Sequence, residues 1–78
     1  PKHLIRLKDL QNEGRLLVAG PFPAIDSEEH GGNGFTGSLI IAEFNCLEDA
    51  KEWAHNDPFF IEGIYNKIEV KPFKKILP

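Results

Sequence analysis

Asn56-Asp57-Pro58-Phe59-Phe60 is the stretch on which the fold turns. A helical pattern runs into it and stops, because Pro58 has no N–H to donate and its ring disfavours helical geometry at the residue before it. Asp57 is thereby presented at a helix end, outside the backbone ladder. Phe59 and Phe60 follow directly and need an apolar place to go. Such a stretch can hold a carboxylate at the edge of a core. It also describes a plain helix stop with a hydrophobic anchor, and both readings stay open at this point.

Working back from the stop, the helix that ends at Asn56 carries an apolar stripe of Cys46, Leu47, Ala50, Trp53 and Ala54. Asn45 is placed to cap it, with Glu48 three residues on in the capping-box position. Trp53 falls on the stripe and reads as core. His55 faces outward with Glu48, Asp49, Lys51 and Glu52. Before this helix, Ser38 to Phe44 reads as a strand, Ser-Leu-Ile-Ile-Ala-Glu-Phe. Residues 21 to 37 read as a long connection rich in Pro and Gly, holding Asp26 and His30; loops of that length are often functional. Its glycines match no phosphate-binding fingerprint. Arg15 to Ala19 reads as a short strand broken by Gly20-Pro21.

The chain opens with a helix from residue 2 to about 13, apolar at Leu4, Ile5, Leu7 and Leu10, with Gly14 where a left-handed residue ends it. His3 lies in its first turn. Free N–H groups and the positive end of the helix dipole favour an uncharged imidazole there, which can accept a proton. An ordinary surface histidine is the alternative. Beyond the stop, Gly63 is another break, and Ile64 to Phe73 alternates as a strand, with Pro72 at its end.

Composition narrows the function. Seventy-eight residues make one small domain, and a core this small needs support. A single cysteine, Cys46, excludes an internal disulfide and a cysteine-built zinc site, and it fits a reducing compartment. Association with a second copy is therefore the expected support. A net charge of −3 argues against nucleic-acid binding, and the only basic cluster, Lys71, Lys74 and Lys75, is short and local. No apolar run reaches membrane-spanning length.

The order helix, strand, strand, helix, strand is that of a ferredoxin-like βαββαβ fold with the first strand missing. That strand is central in the fold, lying between the third and fourth. The expectation is that the 78 residues are truncated, short of about 20 residues carrying a strand and a connection. The topology also brings distant residues together. If the first helix starts at the top of the sheet, the strand after it delivers Gly20, Pro21 and Asp26 to the top. Ser38 starts down from there, and the second helix returns Asp57. His3, Asp26, Ser38 and Asp57 are thus expected at one end, where a histidine and a carboxylate can act as a base and its orienting partner.

Four pieces of sequence, Arg15-Leu-Leu-Val-Ala-Gly-Pro21, Gly34-Phe-Thr-Gly-Ser38, the Asp57-Pro58-Phe59 stop and Val70-Lys-Pro-Phe-Lys-Lys75, closely resemble the YciI-like (YCII-related) family. The likeness covers nearly all of the chain. His3 matches the family's characteristic histidine and Asp57 its Asp-Pro-Phe acid. The resemblance implies a dimeric α+β barrel built from two sheets packed face to face, a pocket centred on a His–Asp pair, and a bacterial cytoplasmic setting. The family is mostly uncharacterised. Muconolactone isomerase is related by fold, and a dehydrochlorinase acting on chlorinated hydroquinones looks similar. The chain departs from the family pattern in its missing first strand.

The expected function is a small-molecule enzyme of acid–base type, of lyase, isomerase or hydrolase class. His3 moves the proton and Asp57 orients or stabilises the imidazole. Gly20 and Pro21 line the pocket, Phe59 is an apolar wall, and Ser38 and Asp26 are secondary binding candidates. No cofactor is expected, and His3, Asp26, His30 and Asp57 show no metal-ligand spacing. Two alternatives stand beside it: a non-catalytic dimeric module that binds a small molecule or assists a larger enzyme, and a purely structural clamp between helix ends.

Overall fold

The computed structural model describes residues 2–28, 32, 34–63 and 67–78, with Phe59 described in its backbone only. Helix α1 (Lys2–Asn12) leads into an antiparallel hairpin of β1 (Leu16–Pro23) and β2 (Phe35–Ala42), followed by α2 (Leu47–His55) and the four-residue α3 (Pro58–Ile61). This α+β arrangement, two main helices beside an antiparallel sheet, is consistent with a ferredoxin-like fold.

Gly14 ends α1 as its position predicts. Its φ is +72°, the left-handed region that glycine enters at no steric cost. Two hydrogen bonds close the end: the Gly14 N–H donates to the Gln11 carbonyl at 3.0 Å and the Arg15 N–H to Leu10 at 2.9 Å. That pair is a Schellman motif. The turn swings the chain directly into β1, so α1 lies against β1 and buries Leu10. Arg15 then ties this corner to the far end of β2. Its Nε donates to the Glu43 carbonyl at 3.0 Å, its Nη1 to Glu13 at 2.6 Å, and its guanidinium lies over the Phe44 ring.

The strands are longer than their sequences suggest at the hairpin end. Gly20-Pro21 does not break β1, which runs on to Pro23, and β2 begins at Phe35 and ends at Ala42. Pro21 stands opposite Ser38 and Phe22 opposite Gly37. In a two-stranded sheet each strand has an unpaired edge, where proline is tolerated. The Phe22 ring lies against Gly37 across the strand pair, close enough that a Cβ at Gly37 would be in ordinary contact with Phe22 Cδ2 at 3.5 Å. The connection is accordingly 24–34.

Three further expectations are corrected. The cap of α2 is Cys46 in extended geometry with no side-chain hydrogen bond, so Asn45 and Glu48 form no capping box there. The helix start is favoured instead by Glu48 and Asp49 in its first turn, on the positive end of the dipole. Pro58 does more than stop α2: it opens α3, where its fixed φ and missing N–H suit the first helical position. Finally, residues 67–73 form no strand, while 64–66 lie outside the described residues. In the ferredoxin-like order that last strand pairs with the one preceding α1, and no strand precedes α1 in these 78 residues. A strand with no neighbour has no partners for its backbone groups.

The two faces of the hairpin differ. Ala19, Pro21, Ser38 and Ile40 face α1, as the cross-strand register requires. Val18, Phe22 and Leu39 point to the other face and are nearly half exposed. No described helix is long and apolar enough to cross a membrane.

Candidate functional site

The first turn of α1 and the junction of α2 with α3 meet at one point. Asn56 closes α2, and the Asp57 N–H donates to the Ala54 carbonyl at 3.1 Å. The Asp57 carbonyl accepts from Phe60 and Ile61, both at 3.0 Å, which starts α3. Backbone bonds on both sides thus fix Asp57, and its side chain is turned inward with 5% of its surface exposed. Nδ1 of His3 lies 2.7 Å from Asp57 Oδ2, across 54 positions of sequence. The His3 side chain is 14% exposed, so the pair sits at the boundary of the interior, where a charge-assisted hydrogen bond is stronger than in water.

Arg6, a polar residue of α1, is the third member. One turn of helix separates it from His3, so both project to the same side. Its Nη1 stands 3.4 Å from the same Asp57 Oδ2, and its Nη2 donates to the Trp53 carbonyl at 2.7 Å. The guanidinium carbon lies 4.3 Å from the centroid of the Trp53 ring, a cation–π stack. Trp53 in turn meets Phe44 at 5.9 Å. Trp53 is therefore the platform for Arg6. The one sequence signal for Arg6 is its three-residue spacing from His3.

His3 also lines an open hollow of about 560 Å³ between α1 and the hairpin, with Leu4 and Leu7 on the helix side and Ala19, Gly20, Pro21, Ser38 and Ile40 among its sheet-side residues. The walls are largely apolar. Thr36 and Ser38 offer hydroxyls, and His3 is the one titratable side chain among the described lining residues. Of the residues singled out in the sequence, His3, Gly20, Pro21 and Ser38 thus share this hollow, and Asp57 reaches it through His3. Asp26 is exposed in the turn beyond β1 and does not line it. Phe59 lies in α3 with its side chain outside the described residues, as does His30 altogether. His55 is exposed, its Nδ1 2.7 Å from the Lys51 carbonyl and its ring edge-on to Phe60. Among the described residues no group of three or more His, Cys, Asp or Glu side chains could hold a metal ion.

A family model described as "YCII-related domain" matches residues 1–74. The chain is 57% identical over 76 residues to "Protein YciI" of Escherichia coli O6:H1, covering 97% of this chain and 78% of the relative. It is equally similar to "Protein YciI" of Shigella flexneri. It is 56% identical over 75 residues to an "Uncharacterized protein" of Haemophilus influenzae, covering 96% of this chain and 76% of the relative.

Proposed function

The chain belongs to the YCII-related domain family, and with that as premise we propose that it is a small-molecule enzyme of acid–base type whose working group is His3. One observation carries this: an imidazole bound through Nδ1 to a buried carboxylate at 2.7 Å, on the wall of a hollow able to take a small molecule. With its Nδ1–H donated to Asp57, the ring is fixed in one tautomer, and Nε2 is the nitrogen that takes and returns a substrate proton. Gly20 and Pro21 form one wall, and the Thr36 and Ser38 hydroxyls orient the polar part of the ligand. A lining with no lysine, arginine or carboxylate among its described residues fits an uncharged ligand with an apolar body. Removal of a proton beside an activating group serves a lyase or an isomerase, and removal of one from an attacking water serves a hydrolase.

The working unit is a dimer in a cytoplasmic setting. The exposed apolar face of Val18, Phe22 and Leu39 supports the first, since a second sheet would cover it. The lone cysteine supports the second.

The test starts from a library of uncharged compounds screened for binding by NMR and then for conversion. His3→Ala is expected to keep binding and lose conversion by about 10²- to 10⁴-fold. A second reading, a binding module without chemistry, draws on the single titratable group among the described lining residues. Binders that are never converted, with affinity unchanged in His3→Ala and Asp57→Asn, would favour it.

A further inference from the structure

We propose that Arg6 is a positioning residue: it balances the charge of Asp57, so that His3 stays an uncharged imidazole able to accept a proton. The inference rests on the reading of His3 as the base and adds how that base is kept ready. A carboxylate as buried as Asp57, bonded to an imidazole at 2.7 Å with no guanidinium beside it, would settle its charge by drawing a proton into the ring. The result is an imidazolium–carboxylate pair, and a histidine already carrying both protons takes up no other. Arg6 changes that balance. Its charge is permanent, and Nη1 stands 3.4 Å from the very oxygen that His3 contacts.

The geometry divides the labour between His3 and Arg6. At 3.4 Å, Nη1 forms no hydrogen bond in the described structure, so its effect on Asp57 is Coulombic and not directional. The short bond is kept for His3. Arg6 is held for this task from below, by the Trp53 carbonyl at 2.7 Å and the Trp53 ring at 4.3 Å, and its side chain is 21% exposed. A weakly hydrated guanidinium suits that partly dry place. Arg6 does not line the hollow, so it acts on the chemistry through Asp57 and not on the ligand. Among the described ion pairs, Asp57 is the acid that faces both His3 and Arg6.

The test is the ¹⁵N NMR signature of the His3 ring at neutral pH, in the full chain and in three variants. Arg6→Met keeps a long side chain over Trp53 and removes the charge. Arg6→Gln keeps a donor for the Trp53 carbonyl. Arg6→Lys keeps the charge. The parent is expected to show one protonated and one unprotonated ring nitrogen. Arg6→Met and Arg6→Gln are expected to lose the unprotonated signal, and Arg6→Lys to retain it. Either neutral variant that gives a dispersed amide spectrum decides the matter. A parent ring carrying both protons, or an unprotonated nitrogen that persists in the neutral variants, overturns the proposal. A merely structural Arg6 would lower stability without moving the ring's protonation. Should the ring respond as expected while His3→Ala still converts substrate, the role of Arg6 stands and the acid–base reading fails.

Discussion

Asp57 is bound from two sides, and its loss should be felt in folding as well as in chemistry. Asp57→Ala leaves Arg6 with an uncompensated, partly buried charge, a situation that costs about 3 kcal/mol when a buried pair is broken. Asp57→Asn removes the same counter-charge but keeps the shape and an acceptor for His3, so its loss should be smaller than that of Asp57→Ala. Urea unfolding of both variants checks the ordering; equal stability in all three proteins would refute the picture of a buried, paired carboxylate. His3 and Asp57 were legible in the sequence because each stands at a punctuation point, a helix start and a proline stop. Arg6 was not. A single arginine in a helix reads as surface, and what turns it inward is Trp53, 47 positions away. Local spacing carries no trace of that contact.

Among the elements, the α1–β1 corner is the most local in origin. Gly14→Ala forces a side chain into the left-handed region at a cost of about 1 kcal/mol, while Gly14→Asn should lose less. Denaturation midpoints of the two variants test this. That corner, the presence of the two strands and the helix of Trp53 could be read from glycine placement and apolar pattern. The ends of the strands could not, because the cross-strand partners Leu39 and Ser38 override the usual meaning of Gly20-Pro21. The segment after α3 shows the opposite failure: its alternation promises a strand, but a strand requires a neighbour. There Glu69 lies between Lys67 at 2.9 Å and Lys71 at 3.6 Å. The hydrogen bond and charge of Lys67 hold its carboxyl below the usual range, and Glu69 raises Lys67 in return. A lowered carboxyl stabilises the fold above its ordinary titration range and loses that contribution as pH falls through the lowered value. Full exposure leaves the contribution negligible. Carboxyl NMR should find Glu69 titrating low, and moving back toward normal at about 1 M salt, where screening acts within about 3 Å.

At the scale of the whole molecule, one face of the hairpin is served by α1 and the other is left open. If two copies meet there, Phe22→Glu or Leu39→Lys should shift the protein from dimer to monomer in analytical ultracentrifugation, with the helical signal of α1 and α2 retained. A parent that sediments as a monomer would end the dimer proposal. The class of fold was visible in the order of elements; the openness of the second face was not, since a sequence shows that Val18, Phe22 and Leu39 are apolar but not what covers them.

Trp53 is the chain's single tryptophan, and a guanidinium rests on its ring. The protein therefore carries its own optical probe of the site. Any event that lifts Arg6 from the indole alters the emission of that one fluorophore, so a rearrangement of the Arg6–Asp57–His3 cluster can be followed in unlabelled protein, in real time and without a chromogenic substrate.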